Sequence, residues 1–591
     1  MCGIHLIWGK GANEESIGTL MKDAQHRGPD QDARVSPWPG IWIGVNRLKI
    51  LHPGPEADQP FWSTEGNHLL VWNGEIYNFQ DLRNLLLKMG IDLFTQSDTE
   101  VLMHWLKIFG SAGLEKLEGM FSLFFVDLTS QNVLVARDPN GEKPLYYHQT
   151  PESLILSSES RGIAKLIQSD FDFKEVEYFH YFRTPQPGKT FFKGVKEWKT
   201  GRFSLIRDQS AFRWDDISTK VSKEKEPSQS GFLELLRDSV LNQFHADVPI
   251  GMLLSGGADS TLLYSLWYEE TGVTLPAFTI QHEVQYQRKY SDAKAVEKLG
   301  KKLPFEANFV PVNQQIFKEN WQEYLTNLDY PVGDSASFLT WLIGKQAKKS
   351  VKVLISGAGA DELWGGYRRH QAFQSYLNNK DLALSIAPFL AKMPFGRSWK
   401  KTFEGIQKDP LRTFWNFSAL ENPPRDLFMD YERIFKSNLS TLKQALDFDR
   451  QVYLVQDVLK IQDNALMAHG IEGRSPYLDP NLIQFWKQVQ KEEDLLGKKW
   501  IRQSLREREL EWVADRKKLG FGLPLLEWFS RKDDFSNWVF STVKNFSKTY
   551  QKELPPATLA LCQQPESYVK SHFLSIYNFF LLAEWLKLQN P

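Results

Sequence analysis

The most constraining feature of the chain is a short apolar run, Pro249 to Leu254, that stops at Ser255-Gly256-Gly257 and is followed by an apolar helical stretch from Ser260 to Tyr268. A run this short with no polar alternation reads as a strand buried on both faces, and such strands belong to parallel sheets covered by helices. The pattern recurs. Leu275 to Ile280 reads as a second strand, and Val351 to Ile355 as a third that again ends in a glycine turn. Strands alternating with helices predict a parallel α/β sheet. A glycine turn between a buried strand and a helix exposes backbone N–H groups at the helix start, which suits an anion. The turn is neither a Walker loop, since no Gly-Lys-Ser/Thr is present, nor a Gly-x-Gly-x-x-Gly dinucleotide fingerprint.

The region before this sheet reads differently. Up to about residue 205, short apolar segments recur between turn signals: Ile4 to Trp8, Ile41 to Val45, His68 to Trp72, Phe121 to Asp127, Val133 to Ala136, Leu154 to Ser157 and Phe203 to Ile206. Helical stretches are expected at Ser16 to Asp23 and Phe79 to Met89. Runs of strands with few helices suggest stacked sheets flanked by helices. Residues 207–230 are polar, charged and proline-bearing and read as a linker. This divides the chain into an N-terminal domain (2–206), a linker (207–230) and a C-terminal domain (231–591). Beyond about Tyr367 the chain reads as mostly helical, and no internal repeat is visible.

Composition removes several function classes. Lys and Arg number 71 against 72 Asp and Glu, a net charge of −1, which argues against a protein built to grip phosphate backbones. Two cysteines, Cys2 and Cys562, cannot make a disulfide framework and predict a reducing compartment, here the cytoplasm. No uninterrupted apolar stretch reaches the ~18 residues of a membrane span, and the N-terminus lacks a basic signal-peptide region. Neither nucleic acid nor membrane is expected as a partner. The 20 Trp and 40 Phe predict an aromatic-rich core.

Chemistry enters at the second residue. Removal of Met1 would leave Cys2 with a free α-amine of ordinary pKa ~7.7–8.0, partly neutral near pH 7 and able to act as base on its own thiol. Cysteine suits the task because its thiolate is intrinsically nucleophilic. Further motifs follow in order: His26-Arg27-Gly28-Pro29-Asp30, Arg47-Leu48, Gln59-Pro60, Asn73-Gly74-Glu75-Ile76-Tyr77-Asn78, Ser97-Asp98-Thr99-Glu100, Ala136-Arg137-Asp138 and Lys143-Pro144-Leu145-Tyr146-Tyr147. In order and spacing this series resembles the glutaminase domain of class II glutamine amidotransferases. The resemblance implies that Cys2 attacks the glutamine amide, that Asn73 and Gly74 hold the oxyanion, that Arg47 receives the α-carboxylate, and that Glu75 and Asp98 receive the α-ammonium.

A second set resembles the ATP-dependent domain of the glutamine-hydrolysing asparagine synthetase family. Ser255-Gly256-Gly257-Ala258-Asp259-Ser260 resembles its pyrophosphate-binding PP-loop. Ser356-Gly357-Ala358-Gly359-Ala360-Asp361-Glu362 running to Gly365-Gly366-Tyr367, the segment from Asp463 through Met467-Ala468 to Glu472-Gly473-Arg474-Ser475-Pro476-Tyr477-Leu478-Asp479, and Arg516-Lys517-Lys518-Leu519-Gly520-Phe521 with Pro524 resemble its other motifs. By this resemblance Asp259 and Asp361 hold Mg2+ on the phosphates, and Lys518 stabilises charge at the reacting phosphorus or carbonyl. Leu254, Ile280, Ser356 and Gly357 line the adenosine, and Ser255, Gly256, Gly257 and Ser260 cradle pyrophosphate. The implied architecture is an N-terminal αββα N-terminal-nucleophile fold joined to a parallel α/β PP-loop domain with a largely helical remainder.

The expected activity is glutamine-dependent amide formation, with ATP and Mg2+ as cofactors and a possible homodimer. Glutamine is hydrolysed at Cys2, and ammonia displaces AMP from an acyl-adenylate in the second domain. Aspartate is the leading acceptor. One departure from the family stands out: the position of Ala358 is usually acidic, and alanine accepts no proton. A related enzyme amidating another carboxylate, such as a sugar or secondary-metabolite acid, therefore stays open. A cyclase of the β-lactam synthetase type lacks a working Cys2, and a purine-pathway phosphoribosyl amidotransferase lacks the SGGADST turn, so neither fits the whole chain.

Overall fold

The computed structural model describes residues 2–218, 225–290, 292–393, 396–435, 438–517 and 520–589. Lys518 and residues 219–224 of the expected linker lie outside the described residues.

Two antiparallel sheets form the first half. One runs, in spatial order, Lys196–Glu197, Tyr146–Gln149, Ser153–Ser157, Cys2–Gly9, Ile41–Arg47, Gln31–Val35; the other runs Asp215–Asp216, Arg202–Ile206, Asn132–Arg137, Gly119–Asp127, His68–Ile76, Phe61–Trp62. Period-two alternation decides which face each residue serves. Ile4, Leu6 and Trp8 point between the sheets and meet Leu69, Val71, Phe124 and Val126. Ile7, on the other face, packs with Ile17, Leu20 and Met21 of helix Glu14–Asp23. Leu70 and Trp72 pack against helices Phe79–Lys88 and Asp98–Phe109. The expected αββα sandwich results, with helix Asp98–Phe109 as an addition, capped by the Ser97 hydroxyl accepting from the Thr99 N–H at 3.1 Å.

The stretch expected as a linker begins inside this sandwich. Phe212 stacks on buried Trp198 and Trp214 packs edge-on against it, with ring centroids 5.0 and 4.4 Å away, and Asp215–Asp216 pairs with strand Arg202–Ile206. Two large aromatic rings outweigh the polar composition around them.

The second half is built on a parallel sheet in the spatial order Glu306–Val312, Pro276–His282, Ile250–Leu253, Val353–Ile355, Glu472–Arg474. The chain starts in the middle strand, winds outward to one edge, then returns to build the other. At that reversal the connections leave strands Ile250–Leu253 and Val353–Ile355 in opposite directions, so a crevice opens at their carboxyl ends. Two of these strands were not read from sequence. Glu306–Val312 is an exposed edge strand, and Glu472–Arg474 is short and charged yet fully buried.

Helices make up the remainder, and the two halves share apolar packing. Phe179 and Phe191 of the first half meet Phe579 and Trp585 of the C-terminal helix Pro565–Gln589. Trp198, Trp341, Trp364, Trp415, Trp486, Trp528 and Trp585 are buried, in keeping with the expected aromatic core. Among the described residues no helix is long and apolar enough to cross a membrane.

Candidate active sites

Cys2 opens the central strand Cys2–Gly9 and pairs in register with Arg47. It is buried, and its Sγ lies 3.8 Å from the Gln59 amide nitrogen. Gln59 is itself fixed by the Trp72 N–H, which donates to its Oε1 at 2.7 Å. The Cys2 backbone nitrogen donates to Asn73 Oδ1 at 2.7 Å. This is the nitrogen that becomes the α-amine once Met1 is removed, so Asn73 Oδ1 sits where it can orient that base.

The other end of the Asn73 amide is a donor. Its Nδ2 is buried and has no hydrogen-bond partner among the described residues. A buried amide N–H without a partner is costly, which points to a ligand that supplies an acceptor. Gly74 adds a second donor. Opposite it, Phe121 uses both backbone groups on Asp138, accepting from its N–H at 2.8 Å and donating to its Oδ2 at 3.4 Å. Gly74 therefore occupies a non-hydrogen-bonded pair, and its N–H faces the other edge of the strand. There strand Phe61–Trp62 pairs only with Leu69 and Leu70. A side chain at Gly74 would place its Cβ 2.0 Å from the Met120 carbonyl oxygen, so the close strand approach demands glycine.

Arg47, Glu75 and Asp98 surround this point, each buried. The Arg47 fork is braced by Asp58 Oδ1 at 2.5 Å and the His52 carbonyl at 3.2 Å. Glu75 and Asp98 are neighbouring acids. Burial raises the Asp98 pKa to about 6, against the opposing effect of the Ile76 N–H, which donates to its carboxylate at 3.4 Å. Burial also raises Glu75 well above the carboxylate range, with Asp98 adding to the shift and Arg474 opposing it. Two buried acids that share a pocket are relieved by a cation, and an α-ammonium group fits.

The second constellation sits in the crevice of the parallel sheet. Ser255 and Gly256 follow strand Ile250–Leu253, and Gly257 is the N-cap of helix Ala258–Thr271. The turn is braced within itself, since the Gly257 N–H donates to Ser255 Oγ at 3.2 Å and the Ser255 N–H to Ser260 Oγ at 3.3 Å. From outside, Arg516 donates to the carbonyls of Ser255 and Gly256 at 3.2 and 3.3 Å. Ser356, Gly357 and Ala358 form the facing wall after strand Val353–Ile355. Gly357 lies against Asp259, whose Cβ would be 3.0 Å from a side chain added there. Leu254 and Ile280 end up in the apolar cores on the two faces of the sheet, so only their backbone can border a nucleotide.

Asp259 and Asp361, far apart in sequence, converge on one cation. Lys498 Nζ lies 2.5 Å from Asp259 Oδ2 and 2.6 Å from Asp361 Oδ1. Gly366 permits this packing: a Cβ there would come within 2.0 Å of Asp361 Oδ1 and 2.1 Å of the Lys498 Cε. Sequence reading missed Lys498. It sits in a left-handed turn after Gly497 with φ +58°, and the Gly-Lys-Lys around it resembles surface. Its φ, rare for a residue with a side chain, is a tertiary signal. The two carboxylates are hard oxygen donors that reach a common point, which suits Mg2+ shared with phosphate oxygens. Glu362, four residues after Ala358, is buried and accepts from the Tyr367 hydroxyl at 2.5 Å.

Several motif residues serve the junction between the halves. Arg27 makes a bidentate pair with Asp463 at 2.8 and 3.0 Å. Asn140 Nδ2 donates to the Leu478 carbonyl at 2.8 Å. Arg474 Nη2 lies 3.2 Å from Glu75, inside the first site.

Comparison with known proteins matches both halves of the chain to described families. A family model described as asparagine synthase matches residues 231–587, and one described as a glutamine amidotransferase domain matches residues 1–214. "Asparagine synthetase [glutamine-hydrolyzing] 1" of Bacillus subtilis (strain 168) is 26% identical over 578 residues, covering 92% of this chain and 90% of that protein. A "Putative asparagine synthetase [glutamine-hydrolyzing]" of Mycobacterium tuberculosis is 27% identical over 572 residues, covering 88% and 85%.

Proposed function

The chain belongs to the asparagine synthase family, and we propose that it is a glutamine-hydrolysing ligase that forms asparagine from aspartate, with ATP activating the acceptor carboxylate. The observation that carries the reading is the coexistence of two constellations on separate scaffolds. One has a buried thiol beside the Asn73 amide, whose Nδ2 has no partner among the described residues. The other has two carboxylates and a lysine in a crevice at the carboxyl ends of parallel strands.

At the first site the Cys2 thiolate attacks the amide carbon of glutamine, with its α-amine as base. Negative charge grows on the amide oxygen, and Asn73 Nδ2 and the Gly74 N–H are the donors for it. Arg47 takes the α-carboxylate, while Glu75 and Asp98 take the α-ammonium. Ammonia departs, and water then cleaves the thioester to release glutamate.

At the second site an acceptor carboxylate oxygen attacks the α-phosphorus of ATP and pyrophosphate leaves. The Ser255–Gly257 turn, at a helix N-terminus, receives the leaving phosphates. Lys498 offsets charge there. Asp259 and Asp361 would hold Mg2+, whose charge neutralises the phosphate oxygens when bound. Ammonia then attacks the acyl carbon and AMP departs.

The test is pyrophosphate release with aspartate and with a panel of other carboxylates, run with glutamine and then with ammonia as nitrogen source. Aspartate should give the highest turnover under both conditions. A panel acid that outruns aspartate would overturn the acceptor assignment and tie it to Ala358. No carboxylate-dependent pyrophosphate release at all would overturn the ligase reading.

A further inference from the structure

Arg474 reaches the proposed glutamine pocket from the other half of the molecule, and its fork meets four groups. Nη2 lies 3.2 Å from Glu75, and Nε donates to Glu472 at 2.6 Å. Nη1 donates to the carbonyls of Gln243 and His245 at 2.8 and 2.7 Å. The side chain is fully buried, over the Tyr77 ring at 5.9 Å. The contacts lead to different parts of the molecule. Glu75 belongs to the glutamine pocket. Gln243 ends helix Gln229–Gln243, and His245, just beyond its C-cap, leads into strand Ile250–Leu253, which precedes the Ser255–Gly257 turn. Arg474 lies on the short strand Glu472–Arg474, which pairs with Val353–Ile355, and its carbonyl accepts from the Ser356 N–H at 2.9 Å. One wall of the nucleotide crevice is thus one hydrogen bond from Arg474, and the other is joined to it through the chain that runs from His245 into strand Ile250–Leu253.

From this connectivity we propose that Arg474 is a positioning residue that couples the two sites, so that a nucleotide in the crevice tightens glutamine binding. The proposal rests on the assignment of the two sites above. A planar fork held by three hydrogen bonds, to Glu472 and to the Gln243 and His245 carbonyls, cannot shift without changing the 3.2 Å ion pair that its Nη2 makes with Glu75. A nucleotide that orders the Ser255–Gly257 and Ser356–Gly357 walls fixes the Gln243, His245 and Ser356 anchors of Arg474. The guanidinium then holds the Glu75 carboxylate in one orientation, ready for the α-ammonium group. Coupling of this kind is reciprocal for binding: whatever factor ATP confers on glutamine, glutamine confers on ATP.

The experiment measures binding without turnover in the full-length Cys2→Ala protein. Glutamine affinity is determined with and without an ATP analogue that cannot be cleaved between its α and β phosphates, and the analogue's affinity with and without glutamine. The expected result is a tightening of about fivefold or more, equal in both directions. In Cys2→Ala/Arg474→Lys, which keeps the charge and loses the fork, the factor should fall to about one while each ligand still binds alone. In the Cys2-containing enzyme, Arg474→Lys should raise the glutamine KM while leaving kcat for hydrolysis within about threefold, a split that a general loss of structure would not produce. A factor of one in Cys2→Ala, or an undiminished factor in the double variant, would overturn the proposal. The first arm decides the matter even if Arg474→Lys fails to fold. Absence of any glutamine or nucleotide binding by Cys2→Ala would instead strike at the site assignments themselves.

Discussion

The two sites differ in how they are built. Every side chain assigned to glutamine is buried: Cys2, Arg47, Asn73, Glu75 and Asp98 are each at most 4% exposed. The nucleotide walls are more open, with Ser255, Gly257, Asp259, Gly357 and Ala358 all part-exposed. The difference suits the proposed ligands. Glutamine is small, and its binding charges gain strength when water is excluded, so a closed pocket of preset donors and acids suits it. ATP and an acceptor need a wide entrance, and their charge is met by backbone N–H groups and by carboxylates that share a cation. The first site is committed before its ligand arrives; the second is completed by it.

The largest expected effect tests whether the sites are chemically separate. Cys2→Ala should lower glutamine hydrolysis by about 10⁴-fold or more, as loss of a nucleophile does, while ammonia-driven pyrophosphate release stays within about threefold. Loss of both activities in a folded variant would erase the distinction drawn above. Next in size, Asn73→Ala should reduce kcat for glutamine by about 10²–10³-fold, the usual cost of one oxyanion donor. The same change should leave ATP–pyrophosphate exchange untouched.

On the other side, Asp259→Asn and Asp361→Asn should each depress ATP–pyrophosphate exchange by about 10²-fold, because a hard-cation clamp loses a ligand and Lys498 loses a counter-charge. Glutamine hydrolysis measured in the same preparations is the internal control. Exchange at wild-type rates in both variants would show that the converging carboxylates are a structural ion pair only.

The smallest effect concerns pH. Asp98 has its pKa raised to about 6 by burial, and only its ionised form pairs with an ammonium group. The acid is therefore protonated, and binding lost, as pH falls through about 6. The kcat/KM for glutamine should drop about tenfold per pH unit below that value, since this parameter reports the free enzyme. The limb belongs to the Glu75–Asp98 pair, with Arg47, Arg474 and Glu472 as the neighbouring charges. Asp98→Asn should lower kcat/KM at pH 8 and flatten the remaining profile. An unchanged acid limb in that variant would assign the titration elsewhere.

How legible was this molecule in its sequence? Seven strands of the first half were visible because they alternate or are continuously apolar, as in Ile4 to Trp8 and Phe121 to Asp127, whereas the short or polar strands Gln31–Val35, Phe61–Trp62, Tyr146–Gln149, Lys196–Glu197 and Asp215–Asp216 were not. The αββα and parallel α/β classes followed from that periodicity together with the family motifs. The strand Glu472–Arg474 was not visible, because its stability comes from buried ion pairs rather than apolar side chains. Nor was the attachment of Phe212 and Trp214 to Trp198, which only a packed surface reveals.

The same division holds at the sites. Local chemistry is written in local sequence: a thiol at position 2, an Asn-Gly pair in a strand, a glycine turn between a buried strand and a helix. Each needs only neighbouring residues to be recognised, and each implies its own dihedral and hydrogen-bonding demands. What sequence could not decide is which distant charges meet. Lys498 reaches Asp259 and Asp361 across 239 positions in the first case, and Arg474 reaches Glu75 from the other half of the chain. A charged side chain looks the same in sequence whether water or a carboxylate faces it. Only the folded structure, by removing the water, makes the partner obligatory.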